Sequence, residues 1–296
     1  MSGKLYTKVF TMTIDPKDLT IQKRHALLQS AIIPRPIAFA STIDAAGNIN
    51  LSPFSFFNMF SSNPPILIFS PSRRGRDNTT KHSYQNVKEV AEVVINIVNH
   101  PMVEQASLAS NDFPKGANEF IKAGFTPVAS TLVKPPRVGE SPVSFECKVN
   151  QVVELGSEGA AGNLVICEVL LVHVKEEVLD EQGVISPFKL DAVARLGQDY
   201  YTRVNADNIF IVPKPNENVG IGYDQIPNYI RNNPMFTKND LGRLGNIEKL
   251  PEPDDIRKFS LKPDVQWAIT SGGTVDLALK LLREGNISDA WKALLI

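Results

Sequence analysis

The chain has 296 residues, 43% of them hydrophobic and 21% charged, with a net charge of -1. This suits one large or two modest soluble domains, and it excludes a global field that would recruit nucleic acid or an anionic membrane. Cys147 and Cys167 make no metal-ligand pattern, and no apolar run reaches the roughly 20 residues that span a bilayer, so a cytoplasmic, metal-free protein with reduced thiols is expected.

In chain order, residues 5–14 are mixed and read as an arm or edge strand. Pro34-Arg35-Pro36 fixes an extended lead-in to a buried strand over residues 37–42. Residues 44–48 carry hairpin-turn chemistry, residues 50–60 resume as an odd strand, and residues 66–70 form a short apolar strand. A basic loop over 71–78 precedes a helix predicted over 79–90, with Asp77 or Asn78 as its cap. Residues 92–98 are β-branched and read as a strand, 101–110 as a short helix, and 120–124 as a single helical turn. Residues 143–153 alternate, with Val143, Phe145, Cys147 and Val149 inward and Ser144, Glu146, Lys148 and Asn150 outward, predicting a half-exposed strand. Residues 164–174 form a longer apolar strand. Six or more strands with few helices make the chain mainly β and argue for an antiparallel barrel. After about Asn205 the composition changes, with frequent prolines and then helical spacing at Val275, Leu277, Leu279 and Leu282. The expected division is therefore a β domain over 1–205 and a C-terminal extension over 206–296, mostly helical or irregular.

Three segments carry chemistry. In residues 50–58 the alternation of a strand fails: Ser52, Ser55 and Asn58 recur every third residue with aromatics between, and Pro53 removes a ladder donor. Backbone groups left unpaired need other partners, and a flat heterocycle with alternating donors and acceptors would supply them. An irregular edge strand with aromatic core residues explains the same pattern. Residues 70–81 gather Arg73, Arg74, Arg76 and Lys81 among hydroxyls, with Gly75 permitting close backbone approach and a helix start following. Such a loop binds phosphate, or is simply a solvated surface loop. It lacks the spacing of a Walker A loop. Arg35 with Ser41-Thr42 at a strand end is a third source of donors. His25, His82 and His100 have no spacing that suggests metal ligation.

Taken together, Arg35-Pro36-Ile37-Ala38-Phe39-Ala40-Ser41-Thr42, Asn50 to Asn58, Pro64-Pro65 and Ile68-Phe69-Ser70 resemble the flavin reductase-like, FMN-binding split-barrel family, and most of all its flavoredoxin-type branch. Weaker similarity continues through Val94-Ile95-Asn96-Ile97 to Ala194-Arg195-Leu196-Gly197 and Tyr200. The resemblance implies a six-stranded antiparallel split barrel with a few flanking helices, forming a homodimer with FMN at the subunit interface. It places Ser41 and Thr42 near the ribityl phosphate, the backbone of Asn50, Leu51, Ser52, Pro53, Phe54 and Ser55 on the pyrimidine side of the ring, and Phe57 and Asn58 near its reactive edge. Arg35 and the hydroxyl-rich loop complete the set. Ser70, Arg73, Arg76, Asn78 and either Thr79 or Thr80 would hold the phosphate, because this chain reads Arg76-Asp77-Asn78-Thr79-Thr80 where the commoner motif is Lys-Asp-Thr.

The implied activity is NAD(P)H-dependent flavin reduction, with NADH or NADPH as co-substrate and hydride passing to flavin N5. No catalytic triad is expected. His173, Arg195 and Tyr200 would be the residues on the nicotinamide side; ordinary packing or a solvent-facing position is the alternative for each. A non-enzymatic flavoredoxin-like electron carrier or FMN-binding module is the competing reading, with an electron-accepting partner in either case. The sequence leaves the electron acceptor open.

Overall fold

The computed structural model describes residues 11–213 and 219–296. Residues 5–10 of the expected N-terminal arm lie outside them, and residues 11–14 take no regular structure. The chain divides into two compact units, Met1–Ile209 and Phe210–Ile296.

The first unit opens with α1 (Ile21–Ala31), whose N-cap Thr20 accepts a hydrogen bond from the Lys23 amide. The sequence reading has no helix there. The apolar residues Ile21, Leu27 and Leu28 form no sustained stripe, and the helix buries none of its side chains. Then come β1 (Ala38–Ile43), β2 (Ile49–Phe54), β3 (Phe57–Ser62), β4 (Pro65–Phe69), α2 (His82–Glu89) and β5 (Glu92–Ile97). They are followed by α3 (Val103–Leu108), α4 (Glu119–Ala123), a small ribbon of β6 (Pro127–Val128) and β7 (Arg137–Val138), and the long hairpin β8 (Val143–Glu154) and β9 (Asn163–Val174). The unit closes with α5 (Pro187–Leu190) and the hairpin β10 (Val193–Gly197) and β11 (Tyr200–Arg203).

The main sheet is antiparallel, with strand order β2-β1-β5-β8-β9-β4-β3. Its two edges, β2 and β3, are consecutive in the chain and separated only by Ser55 and Phe56. The sheet must therefore curl until its edges meet, yet they do not pair, which leaves a barrel open along one seam. Seven strands stand where six were expected, because residues 50–60 break at Ser55-Phe56 into two strands. Pro53 is tolerated in β2 because β2 is an edge strand, bonded to β1 alone, where Pro53 lies opposite Phe39.

β1 is buried on both faces. Ala38 and Ala40 point into the barrel with Phe54, Phe69, Val93, Ile95, Cys147, Val165 and Cys167. Phe39 points outward, into a second core with Leu51, Phe120 and Phe125, where its ring meets Phe125 edge-on at 5.2 Å. Both thiols are free and buried, and burial pushes the Cys147 thiol up to about 12.

Two local expectations change. The helix after the basic loop starts at His82, with Lys81 at the N-cap position and no side-chain cap, rather than near residue 79. Asp77 instead accepts from both the amide and the hydroxyl of Thr79, and Asn78 adopts a left-handed φ of 60°. The outward face of β8 is also not solvated throughout: Ser144 and Glu146 are buried. Glu146 accepts the amides of Thr131 and Leu132, at 2.7 and 2.6 Å, and bonds the His173 ring at 2.6 Å. A loop folded over that strand face supplies the two amides and β9 supplies His173, which alternation within β8 cannot reveal.

The second unit is helical: α6 (Asn228–Arg231), α7 (Lys238–Leu244), α8 (Pro253–Ser260), α9 (Pro263–Ser271), α10 (Thr274–Arg283) and α11 (Ile287–Leu294). Two of its prolines start helices rather than breaking them, since Pro253 and Pro263 occupy first-turn positions where no amide donor is needed. Its own core surrounds Trp291, which packs with Leu241, Leu244, Phe259 and Leu282 and donates to the Leu244 carbonyl at 2.9 Å. Among the described residues, no helix is long and apolar enough to cross a membrane.

Candidate functional site

The open seam of the barrel adjoins a cavity of about 530 Å³. The unpaired side of β2 and the residues after it supply one wall: Ser52, Pro53, Phe54, Ser55 and Phe56. The basic loop supplies a second, with Ser70, Ser72, Arg73, Gly75, Arg76 and Lys81. The third comes from α1, through Ile21, Gln22, His25 and Gln29.

The loop is held from within. Arg73 donates from Nε to Asn78 Oδ1 at 2.6 Å and from Nη2 to the Asn78 carbonyl at 2.7 Å, while Asn78 Nδ2 donates to the Ser157 carbonyl. Arg74 donates to Asp112 at 3.0 Å and to the Thr80 carbonyl, and Arg76 bridges Asp77 and Asp112. Hydrogen bonds from Arg74, opposed by partial burial and reinforced by the charge of Arg74, hold the Asp112 carboxyl below its ordinary range. Ser70 Oγ accepts the Asn163 amide at 3.0 Å, tying the loop to the start of β9. Two groups facing the cavity remain unmet. Ser72 Oγ is buried without a partner among the described residues. Burial, with Arg74 nearby, lowers the Lys81 ammonium from its ordinary range.

Of the residues singled out from sequence, Ser52, Pro53, Phe54, Ser55, Ser70, Arg73, Gly75, Arg76 and Lys81 line this cavity. Others sit behind it. Ser41 and Thr42 are fully buried in β1, and Thr42 accepts from Asn86 of α2. Asn50 donates to Ser83, and the Leu51 amide donates to the buried Glu119 carboxylate. Asn78 and Thr79 bond Arg73 and Asp77 within the loop, Asn78 also reaches the Ser157 carbonyl, and Thr80 accepts from Gln85 of α2. Phe57 and Asn58, in β3, do not line the cavity.

Arg35 lines a neighbouring cavity instead. His173 pairs with Glu146 across β8 and β9. Arg195 lies over the Tyr201 ring at 4.6 Å, and Tyr200 is exposed. None of these three borders the cavity. Sequence reasoning missed Phe56, Ser72 and the α1 residues. Phe56 and Ser72 were within reach, since both fall inside the segments already singled out; α1 carried no amphipathic signal.

This is an incompletely closed antiparallel barrel whose free strand edge and arginine-rich loop share one cavity, the layout of a split-barrel flavin-binding protein. The flavin reductase like domain model matches residues 30–190. An uncharacterized protein from Aquifex aeolicus (strain VF5) is 38% identical over 179 residues, which cover 60% of this chain and 89% of the relative. The crystal structure of nitrilotriacetate monooxygenase component B from Bacillus cereus superposes with a TM-score of 0.65 at 28% identity, covering 69% of this chain and 100% of that one. A Shewanella frigidimarina NCIMB 400 protein with a split barrel domain superposes with a TM-score of 0.58 at 27% identity, covering 67% and 96%. The chain belongs to the flavin reductase-like family. The helical second unit lies outside the matched residues.

Proposed function

We propose that the protein is an FMN-dependent oxidoreductase of the NAD(P)H:flavin reductase type, with the flavin in the seam cavity. The observation that carries this reading is the juxtaposition of the free β2 edge with Ser72, Arg73, Arg76 and Lys81. A phosphate dianion suits three cations and an unmet hydroxyl, and a ring with donors and acceptors suits backbone groups that β2 cannot pair. When bound, the flavin supplies hydride and electron chemistry.

The protein's part is positional. Arg73, fixed by Asn78, and the partly desolvated Lys81 neutralise the phosphate. The chain from Ser52 to Ser55 orients the ring, and Phe54 and Phe56 keep water from one side of it. Lys81 is poised for this role: its ammonium is destabilised in the free protein and regains stability beside an anion.

The exposed apolar residues Met59 and Phe60 on β3 and Leu170 and Val172 on β9 support a homodimer, in which a second copy would cover them. Residues on the nicotinamide side would then come from that copy. The positions of His173, Arg195 and Tyr200 away from the cavity equally favour the electron-carrier reading. Rapid mixing of FMN-loaded protein with NADH and with NADPH separates the two. Bleaching of the flavin absorbance within a turnover time supports the reductase, and a flavin that neither nucleotide bleaches overturns it.

A further inference from the structure

A second cavity, of about 620 Å³, shares Ile21, His25, Gln29, Phe56 and Ala160 with the first. Its most unusual lining residue is Arg35, which is only 6% exposed. Its Nη1 donates to the carbonyls of Gln29 and Ile32 at the C-terminal end of α1. Its Nε and Nη2 are buried with no partner among the described residues, and no carboxylate pairs with it there. Another cation, Arg195, acts on it unfavourably, and the backbone of Arg195 bridges that of Arg35. A buried cation without a counter-charge is costly and is compensated by an anion.

The rest of the lining narrows the anion's type. Arg24 and His25 add donors, and Glu158 is the one acid. Two Arg24 nitrogens are committed, Nε to the Pro16 carbonyl and Nη2 to the Leu19 carbonyl, which leaves Nη1. Phe56 and His25, whose rings meet edge-on at 6.1 Å, stand among the apolar side chains of Ile21, Leu28 and Ile32. These surfaces suit a flat ring, and the volume is that of a small-molecule site. Reaching the Arg35 nitrogens requires α1 to give slightly, and α1 buries none of its side chains.

We propose that this second cavity is the subsite for a flat, ring-bearing carboxylate, with Arg35 and Arg24 taking the carboxylate and Phe56 and His25 the ring. The shared wall at Phe56 sets such a molecule beside the flavin cavity, so its role as electron acceptor rests on the function proposed above, whereas its binding does not.

The test uses the full chain, with and without FMN, and benzoate as the probe against its neutral isostere benzamide, both followed by titration calorimetry. Benzoate is expected to bind and benzamide to bind about tenfold more weakly or not at all, as loss of a charge-assisted contact predicts. Arg24→Ala and His25→Ala alter accessible side chains and should each weaken benzoate severalfold. Arg35→Lys, which keeps the charge but loses the fork, should weaken it further. Equal binding of benzoate and benzamide, or benzoate binding indifferent to Arg24→Ala and His25→Ala, overturns the subsite. Benzoate bound by a chain that takes up no FMN would preserve the subsite and defeat the flavin reading.

Discussion

Arg73 and Glu146 show how single side chains set local structure here. Arg73 both faces the cavity and holds Asn78 through two short hydrogen bonds. Replacing it with alanine should weaken FMN binding about ten- to a hundredfold, the effect of losing roughly 1.5–3 kcal/mol of charged hydrogen bonding. Quenching of flavin fluorescence on titration measures it, and an unchanged affinity would move the phosphate elsewhere. Glu146 is wholly buried. Burial works to raise its pKa, but the amides of Thr131 and Leu132 and the His173 ring outweigh that and hold it below the ordinary glutamate value. A carboxylate depressed in the folded state binds fewer protons there than when unfolded, so its contribution is present above the ordinary glutamate pKa and is lost as pH falls through the depressed value. Glu146→Ala should cost about 1–3 kcal/mol, since it leaves the partly buried Thr131 and Leu132 amides without their acceptor. Denaturant unfolding at neutral pH should show that loss, and the deficit should shrink in acid. The role of Glu146 depends on partners more distant in sequence, Thr131, Leu132 and His173, which is why residues 143–153 read as a half-exposed strand and Glu146 as a solvated residue.

At the scale of elements, α1 and β2 behave in opposite ways. β2 announced itself, because Pro53 and the broken alternation of residues 50–58 are incompatible with a central strand, and the structure sets it at a sheet edge. α1 was silent, because it packs no continuous apolar stripe, yet it supplies a wall of the cavity. A helix that buries nothing opens locally at little cost. Its amides should therefore exchange with deuterium orders of magnitude faster than those of β5, which sits between β1 and β8. Hydrogen exchange read by mass spectrometry checks this. Slow exchange in α1, matching β5, would mean that another copy of the chain covers Leu27, Leu28 and Ile32, which are exposed here.

For the whole molecule, each unit owns its core: Phe39, Phe69 and Ile95 lie in the first, and Trp291, Leu244 and Leu282 in the second. Trp291→Ala should destabilise the helical unit by about 3–5 kcal/mol, the cost of emptying a large buried aromatic site. Calorimetry should then show an earlier unfolding transition for that unit while FMN affinity stays within twofold or so of the unaltered protein, given that each unit has its own core. A parallel loss of FMN affinity would tie the helical unit to the cavity.

Most element types were legible in the residues, α1 excepted: β-branched runs with turn chemistry between them made strands, and the proline at position 53 made β2 an edge. The sequence also marked the two segments, residues 50–58 and 70–81, whose residues share a cavity, since both break local rules in a way that local physics can detect. What only the tertiary structure decided was which side of each strand is covered and by what. Thr42 and Asn50 bond side chains of α2, Ser41 is buried, Glu146 is closed over by a loop, and Arg35 is buried against the end of α1. Burial is a property of contacts between segments distant in the chain, and periodicity within a single segment carries no record of what will fold on top of it.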